Sequence, residues 1–283
     1  MPELPEVETV VRGLQSVLPG TRIVTVRLGK TDFIDDPASL EQFVPGNRVR
    51  EVRRYGKFVV IAFESSAGSA RNPALLIHLG MTGQLVTCPS EAAVVPHTHA
   101  FFSLDNGREL RYTDIRRFGQ MRFLSGETDL ADLEGLGLDP LEASEEQFVA
   151  AIKDRRARVK ALLLDQRVFR GMGNIYTDES LWRARIHPAR LATSLKHNEL
   201  RILYRAVRAI LTEAIRLRGS SISDYVDSQG ERGEFQRRHR AYQREGKKCF
   251  RCGNPIRRMI VAGRSSYFCA KCQRPPRKRR SGK

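Results

Sequence analysis

Nowhere does the chain carry an apolar run approaching the length needed to cross a bilayer, so a membrane-spanning helix is excluded. Neither an amphipathic anchor nor a lipidation motif is present. No basic-then-apolar leader opens the chain, so a cytoplasmic location is expected. Cysteine is sparse, at five in 283 residues, and a cytoplasmic setting disfavours disulfides. Acidic residues are scarce in one half only. Residues 1–150 hold 15 Lys+Arg and 21 Asp+Glu, whereas residues 151–283 hold 34 and 11. The halves carry −6 and +23, for a total of +17. A basic second half predicts a polyanionic partner held mainly by that half. The plainer reading is solubility or a tail effect. However, the tail 274–283 supplies only six of the positive charges.

What is present begins at the first residues, Met1-Pro2-Glu3-Leu4-Pro5-Glu6. Removal of Met1 would leave Pro2 with a free secondary amine. An α-amine has a pKa of roughly 7.7–8.0, so a useful fraction is neutral and nucleophilic near pH 7. Amines attack aldehyde-like carbons to give Schiff bases, and a secondary amine gives an iminium that is already charged. Glu3 and Glu6 lie within one turn of it and can move protons. The structural reading of the same residues is a helix cap: proline needs no N–H there, and glutamate complements the dipole.

Val7, Val10, Val11, Leu14 and Leu18 then follow helical spacing over 6–18 and end at Pro19-Gly20. From Arg22 to about Phe123 the pattern turns to strands. Expected strands are Ile23 to Leu28, Tyr55 to Phe63, and one in Ala74 to Val86 bent at Gly80 and Gly83. A hairpin is expected from His99 to Thr113, turning at Asp105-Asn106-Gly107. Strands at this spacing imply a sandwich or barrel. Lys57 falls where a strand begins, as edge lysines often do. Residues 125–142 read as a linker. Residues 144–217 read as helices, with a capping box at Ser144-Glu145-Glu146-Gln147. A glycine turn at Gly171 to Gly173 opens the next helix, expected to end at His187-Pro188, and Glu199 to Leu217 form another. N–H groups at such a turn can bind a phosphate, although two glycines can also serve packing alone. Residues 218–246, rich in Gly, Ser and Arg, predict a mobile loop.

Cys249-x2-Cys252, sixteen residues, then Cys269-x2-Cys272 is the strongest single signal. Four thiolates in two knuckles suit one tetrahedral Zn²⁺, and a closed site of four cysteines is structural. A small β-hairpin is expected between the knuckles. Cys88 stands apart as a small core residue.

Taken together, these pieces resemble the family of bacterial formamidopyrimidine-DNA glycosylases, base-excision repair enzymes that remove oxidised purines. The matching residues run from Pro2 to Thr9, then Lys57, His78-Leu79-Gly80-Met81-Thr82-Gly83, Arg111-Tyr112-Thr113-Asp114 and Arg116-Arg117-Phe118-Gly119. They continue with Gly173-Asn174-Ile175-Tyr176, Ile186-His187-Pro188 and the four-cysteine finger. They cover nearly the whole chain in order.

The resemblance implies an α+β multidomain fold. An N-terminal helix on a β-sandwich (1–124) and a linker (125–142) precede a helix–two-turn–helix domain with a lesion-covering loop (143–236). A zinc finger (237–273) and a basic tail (274–283) follow, with DNA between the domains. It implies a flipped nucleotide, attack by the Pro2 amine on C1′, Glu3 as proton donor, and Glu6 holding the site. Strand cleavage by β,δ-elimination follows. Lys57, Asn174 and Arg264 would grip phosphates. Met81, Arg116 and Phe118 would fill the hole left by the base, and His78, His99 and Tyr242 complete the expected DNA-facing set. The implied partner is damaged double-stranded DNA, bound by a monomer associated with the bacterial nucleoid.

Departures from the family pattern fall at Arg170-Gly171, at Gly230-Glu231-Arg232-Gly233-Glu234-Phe235, and at Tyr242-Gln243. These bear on base preference. Three other readings stay open: the sister branch acting on oxidised pyrimidines, a non-catalytic zinc-dependent DNA binder, and a protein that binds nucleic acid by charge alone.

Overall fold

The computed structural model describes residues 2–64, 72–126, 133 and 135–275. The basic tail beyond 275 and linker residues 127–132 and 134 lie outside the described residues. The chain divides into two compact units, Met1–Gly135 with Ala214–Gln236, and Leu136–Glu213 with Arg237–Lys283.

The first unit opens with α1 (Leu4–Gln15), which buries Val7, Val10, Val11 and Leu14 along one face. Next come β1 (Ile23–Leu28), α2 (Pro37–Phe43), β2 (Val49–Tyr55), β3 (Phe58–Phe63) and β4 (Ala74–His78). The series ends with β5 (Gln84–Pro89), β6 (Thr98–Leu104), β7 (Arg108–Thr113) and β8 (Gln120–Leu124). They form two four-stranded antiparallel sheets, ordered β1-β6-β7-β5 and β2-β3-β4-β8. Between the sheets, Val59, Ile61, Phe63, Leu75 and Ile77 meet Leu85, Ala100, Phe102, Leu110 and Tyr112. Val7, Val10 and Leu14 of α1 join the same cluster. Each such side chain contributes roughly 1.5–3 kcal/mol on burial, so the sandwich is a rigid base for α1.

Two local expectations change. The stretch from Ala74 to Val86 is not one bent strand but two, β4 and β5, in different sheets. Gly80 has φ 58°, and a Cβ there would collide with the backbone of Phe118. A side-chain-free residue therefore lets the chain cross between sheets. Strand β2 escaped the pattern reading because its register shifts between Val49 and Glu51. A bulge breaks the two-residue alternation that marks a strand.

The second unit contains α3 (Glu145–Ile152), α4 (Val159–Leu164), α5 (Asn174–Ala184) and α6 (His197–Arg216), with the division between units falling inside α6. The hairpin β9 (Arg257–Val261) and β10 (Arg264–Phe268) lies between the cysteine pairs as expected. The Ser144 box forms: Gln147 N–H donates to Ser144 Oγ at 3.2 Å, and Ser144 N–H to Gln147 Oε1 at 2.9 Å. Helix α5 stops before His187-Pro188, because Arg185 takes a left-handed conformation (φ 58°) and Ile186 N–H turns back to Leu181 O at 3.0 Å. Arg170, one of the departures, pins the described end of the linker, donating to Gly137 O at 2.8 Å and pairing with Glu142 at 2.9 Å. Among the described residues no helix is long and apolar enough to cross a membrane.

Candidate nucleic-acid site and metal centre

In the first unit, Pro2, Glu3 and Glu6 sit together at the start of α1, all buried. Glu3 N–H donates to Glu6 Oε2 at 2.8 Å, and Ser220 N–H donates to Glu6 Oε1 at 2.7 Å. Tyr225 Oη donates to the Glu6 carbonyl at 3.2 Å. Glu6 thus ties the Pro2-Glu3 turn to a segment more than two hundred residues later. The approach is close: Gly219 has φ 77°, and a Cβ there would lie 2.7 Å from Glu6 Oε1. The stretch 218–246, expected as a mobile loop, follows a hydrogen-bonded path here. Glu234 N–H reaches Leu217 O at 2.8 Å, Phe235 N–H reaches Gly219 O at 2.9 Å, and Gly233 N–H reaches Ser221 Oγ at 2.9 Å.

A second cluster gathers around Asp114, which is fully buried. One carboxylate oxygen accepts from Thr82 Oγ1 and from Arg116 N–H at 3.2 Å. The other accepts from Tyr112 Oη at 3.1 Å and Gly119 N–H at 2.9 Å. The turn carrying Met81 and the loop carrying Arg116 and Phe118 are therefore braced by one side chain. Met81 is 40% exposed and Phe118 55%, and the Arg116 guanidinium lies 4.5 Å from the Phe118 ring centre. Two large apolar groups left in solvent on a braced support can enter a base stack without reordering first.

Lys57 sits in the turn between β2 and β3, half-buried. Burial, and then the Lys57 charge, lower the nearby His78 to about 4. Neutral His78 accepts from Gly80 N–H through Nδ1 at 3.1 Å. His99 is buried, and its Nε2 faces Asp114 O at 3.2 Å, so its hydrogen-bond partner is the protein's own backbone.

In the second unit, Asn174 opens α5 and donates to Ser265 O of β10 at 3.0 Å, beside exposed Arg264. The junction rests on a buried ion pair. Lys160 donates to Asp178 Oδ1 at 2.7 Å and to Ser265 O at 2.9 Å, and Asp178 Oδ2 accepts from Tyr267 N–H at 2.9 Å. Glu179, next on α5, accepts the N–H groups of Arg240, Ala241 and Tyr242 at 2.8–3.0 Å. The Tyr242 ring packs against Tyr267 at 5.5 Å.

The Sγ atoms of Cys249, Cys252, Cys269 and Cys272 all lie within 4.8 Å of one another, and Cys252 and Cys269 are 3.4 Å apart. Zn–S bonds of about 2.3 Å in a tetrahedron set sulfurs about 3.8 Å apart, so the donor set fits. All four positions are taken by thiolates, so the zinc is structural. Cys249 and Cys269 pack with Ile256 and Trp182.

The residues that sequence reasoning missed are supports: Ser220, Tyr225, Asp114 as a brace, the Lys160–Asp178 pair and Glu179. Only Asp114 carried a signal, lying inside a matched motif without an assigned role.

Three sequence profiles match in chain order. They are the formamidopyrimidine-DNA glycosylase N-terminal domain at residues 1–121, the H2TH domain of the same enzymes at 136–226, and a zinc finger found in FPG and IleRS at 246–275. The chain is 45% identical over 276 residues to the formamidopyrimidine-DNA glycosylase of Solibacter usitatus, covering 97% of this chain and all of the relative. A Lactococcus lactis Fpg variant, solved with Fapy-dG-containing DNA, superposes with a TM-score of 0.88 at 30% identity. It covers 97% of this chain and 100% of that one. The wild-type L. lactis protein, solved with oxidised-pyrimidine-containing DNA, gives 0.86 at 30% identity with the same coverage. These likenesses, with the cysteine cluster, define the class as a DNA glycosylase of base-excision repair carrying a structural zinc. Within that class the chain belongs to the formamidopyrimidine-DNA glycosylase family.

Proposed function

We propose that the protein excises oxidised purines, such as 8-oxoguanine and formamidopyrimidines, from duplex DNA and then cuts the strand through a Pro2 iminium. The observation that carries this reading is the Glu6 carboxylate. It is shared between Glu3 N–H and Ser220 N–H and fixes the Pro2-Glu3 turn on a rigid helix. With Met1 removed, the Pro2 nitrogen attacks C1′ of the flipped nucleotide. The N–C1′ bond forms and the C1′–base bond breaks, the base leaving with a proton. Glu3 protonates O4′ as the sugar ring opens, leaving an iminium between proline and C1′. That cation makes the C2′ proton acidic. Its loss drives out the 3′ phosphate, and a second elimination drives out the 5′ phosphate. In this reading Lys57, Asn174 and Arg264 hold phosphates, Met81, Arg116 and Phe118 occupy the vacated stack, and His78, His99 and Tyr242 support the bound strand. Damaged duplex DNA is the partner, consistent with the +23 on residues 151–283.

One observation favours a second substrate class. A solved neighbour holds an oxidised pyrimidine, and the departures at 230–235 lie in the segment expected to cover the base. Borohydride trapping separates the readings. An 8-oxoguanine·cytosine duplex and a thymine glycol duplex are run beside Pro2→Gly and a Met1-retaining form. A covalent adduct mainly on 8-oxoguanine, lost in both controls, supports the proposal. A stronger adduct with thymine glycol moves the protein to oxidised pyrimidines. Tight binding with no adduct on either duplex, nor on an abasic site, rejects the lyase chemistry.

A further inference from the structure

At the C-terminal end of α5, the zinc knuckles and the residues after the helix line a half-open polar cavity of about 510 Å³. Its wall holds five cations, Arg185, Arg190, Arg251, Lys271 and Arg274, and one carboxylate, Glu199. Glu199 is already engaged, since Arg190 takes both its oxygens at 2.5 and 3.0 Å. Arg251 lies 3.8 Å from the Trp182 ring centre and donates to the carbonyls of Trp182 and Arg183 at 2.6 and 2.9 Å. Its position is fixed, yet among the described residues no carboxylate meets its charge. Arg185, Lys271 and Arg274 are exposed, and among the described residues none of them pairs with a carboxylate.

Four side chains on this wall thus carry positive charge that no carboxylate among the described residues meets. A zinc ion held by four thiolates has a net charge of −2, which offsets about half of it. A surplus of about +2 remains, in a concavity that concentrates its field. The cavity is separate from the Asn174–Arg264 region. Asn174 opens α5 and Arg185 caps its other end, and an eleven-residue helix spans about 16 Å.

We propose that this cavity is a second phosphate-binding site that takes the oxyanions of a phosphodiester backbone or of an oligophosphate. Phosphate is recognised without a base, so the proposal is independent of the lesion chemistry. The cavity is too small for a duplex but accommodates phosphate groups presented at its mouth. Arg251, already fixed, needs no reordering to meet one. Arg185 and Lys271 are free to close on it.

The test uses the full chain with its zinc. One variant is Arg185→Asn with Lys271→Gln, asparagine being tolerated in the left-handed conformation at 185. A second, Lys271→Gln with Arg274→Gln, leaves α5 untouched. A charge-matched control, Arg155→Gln with Arg156→Gln, lies outside the cavity. Zinc content, read by thiol release, must equal the unaltered protein's. Inorganic tripolyphosphate is titrated by calorimetry, and binding to an undamaged 30-base-pair duplex is followed against salt. The expected result is at least a tenfold loss of tripolyphosphate affinity in both cavity variants and none in the control. If the source is DNA, the slope of log affinity against log salt also falls by about 1.8, the value for two lost phosphate contacts. Lost tripolyphosphate affinity with an unchanged slope assigns the site to free oligophosphates. Unchanged affinity and slope in both variants overturn the site.

Discussion

Asp114 in the first unit and Asp178 in the second are both buried, at 0% and 1% exposure, and each holds a piece of the candidate DNA surface. They do it by different means. Asp114 is met by four neutral donors, two hydroxyls and two backbone N–H groups. Asp178 is met by one cation and one backbone N–H. Burial pushes the Asp178 carboxyl up, and the Lys160 charge and hydrogen bond pull it back. Neutral donors fix a carboxylate in several directions and survive the loss of any one. An ion pair with few donors depends on both partners being present, because either charge alone is stranded in a medium that cannot solvate it.

Zinc removal should separate the two anchors most widely. Structural zinc sites in isolated fingers are worth on the order of 10 kcal/mol. Chelation should melt β9–β10, removing the Tyr267 N–H from Asp178 and the Ser265 carbonyl from Lys160 and Asn174. Hydrogen exchange should then rise over 246–273 and around Asp178 but stay unchanged at the Arg116 and Gly119 amides that bind Asp114. Equal loss of protection in both clusters would mean that the metal supports the first unit as well.

Single substitutions come next. Asp178→Asn or Lys160→Met should each cost about 3–5 kcal/mol, and Lys160→Met with Asp178→Leu should recover most of that. Urea unfolding measures all three. A double variant no better than the singles would show that the hydrogen bonds to β10, rather than the charge pair, carry the stability.

Asp114→Asn should cost less, about 1–3 kcal/mol, because an amide turns an N–H₂ toward donors that need an acceptor. Its larger effect should be functional. Excision from a duplex lesion should drop while cleavage at a ready-made abasic site falls less, since the brace supports Met81 and Phe118 and not Pro2. Equal losses on both substrates would remove Asp114 from that role.

A change of pH should give a gradual loss rather than a single step. Burial holds His187 and His239 at about 4, with the charges of Arg190 and Arg244 adding to the shift. In the unfolded chain both titrate near 6.5. Above that pH both states are neutral and nothing changes. As pH falls from 6.5 to 4 the unfolded chain gains protons that the folded one refuses, so stability declines through that window. A melting temperature that stays level between pH 6.5 and 4 in the unaltered protein would place these rings in a more solvated setting. His187→Gln should flatten part of the decline.

Several parts of this protein were legible in the residue order because the physics is local. The α1 stripe, the β6–β7 hairpin around Asn106-Gly107, the Ser144 box and the paired cysteines depend on neighbours within a few residues. Spacing therefore determines them. The Pro2-Glu3-Glu6 cluster was visible for the same reason, being one helical turn. Charge asymmetry needed only a count.

What holds those parts in place was settled elsewhere, by contacts between distant residues. Chain order gave no hint that the segment after α6 would meet Glu6 through Ser220 and Tyr225. Nor did it show that Asp114 would serve two loops at once, or that Lys160 would be buried under the finger hairpin. A buried polar group must find partners, but the partner can come from anywhere in the chain, and no periodicity records which one it is. Residue order set the chemistry available at each position. Folding then selected which of those groups are desolvated together, and therefore which act as one site.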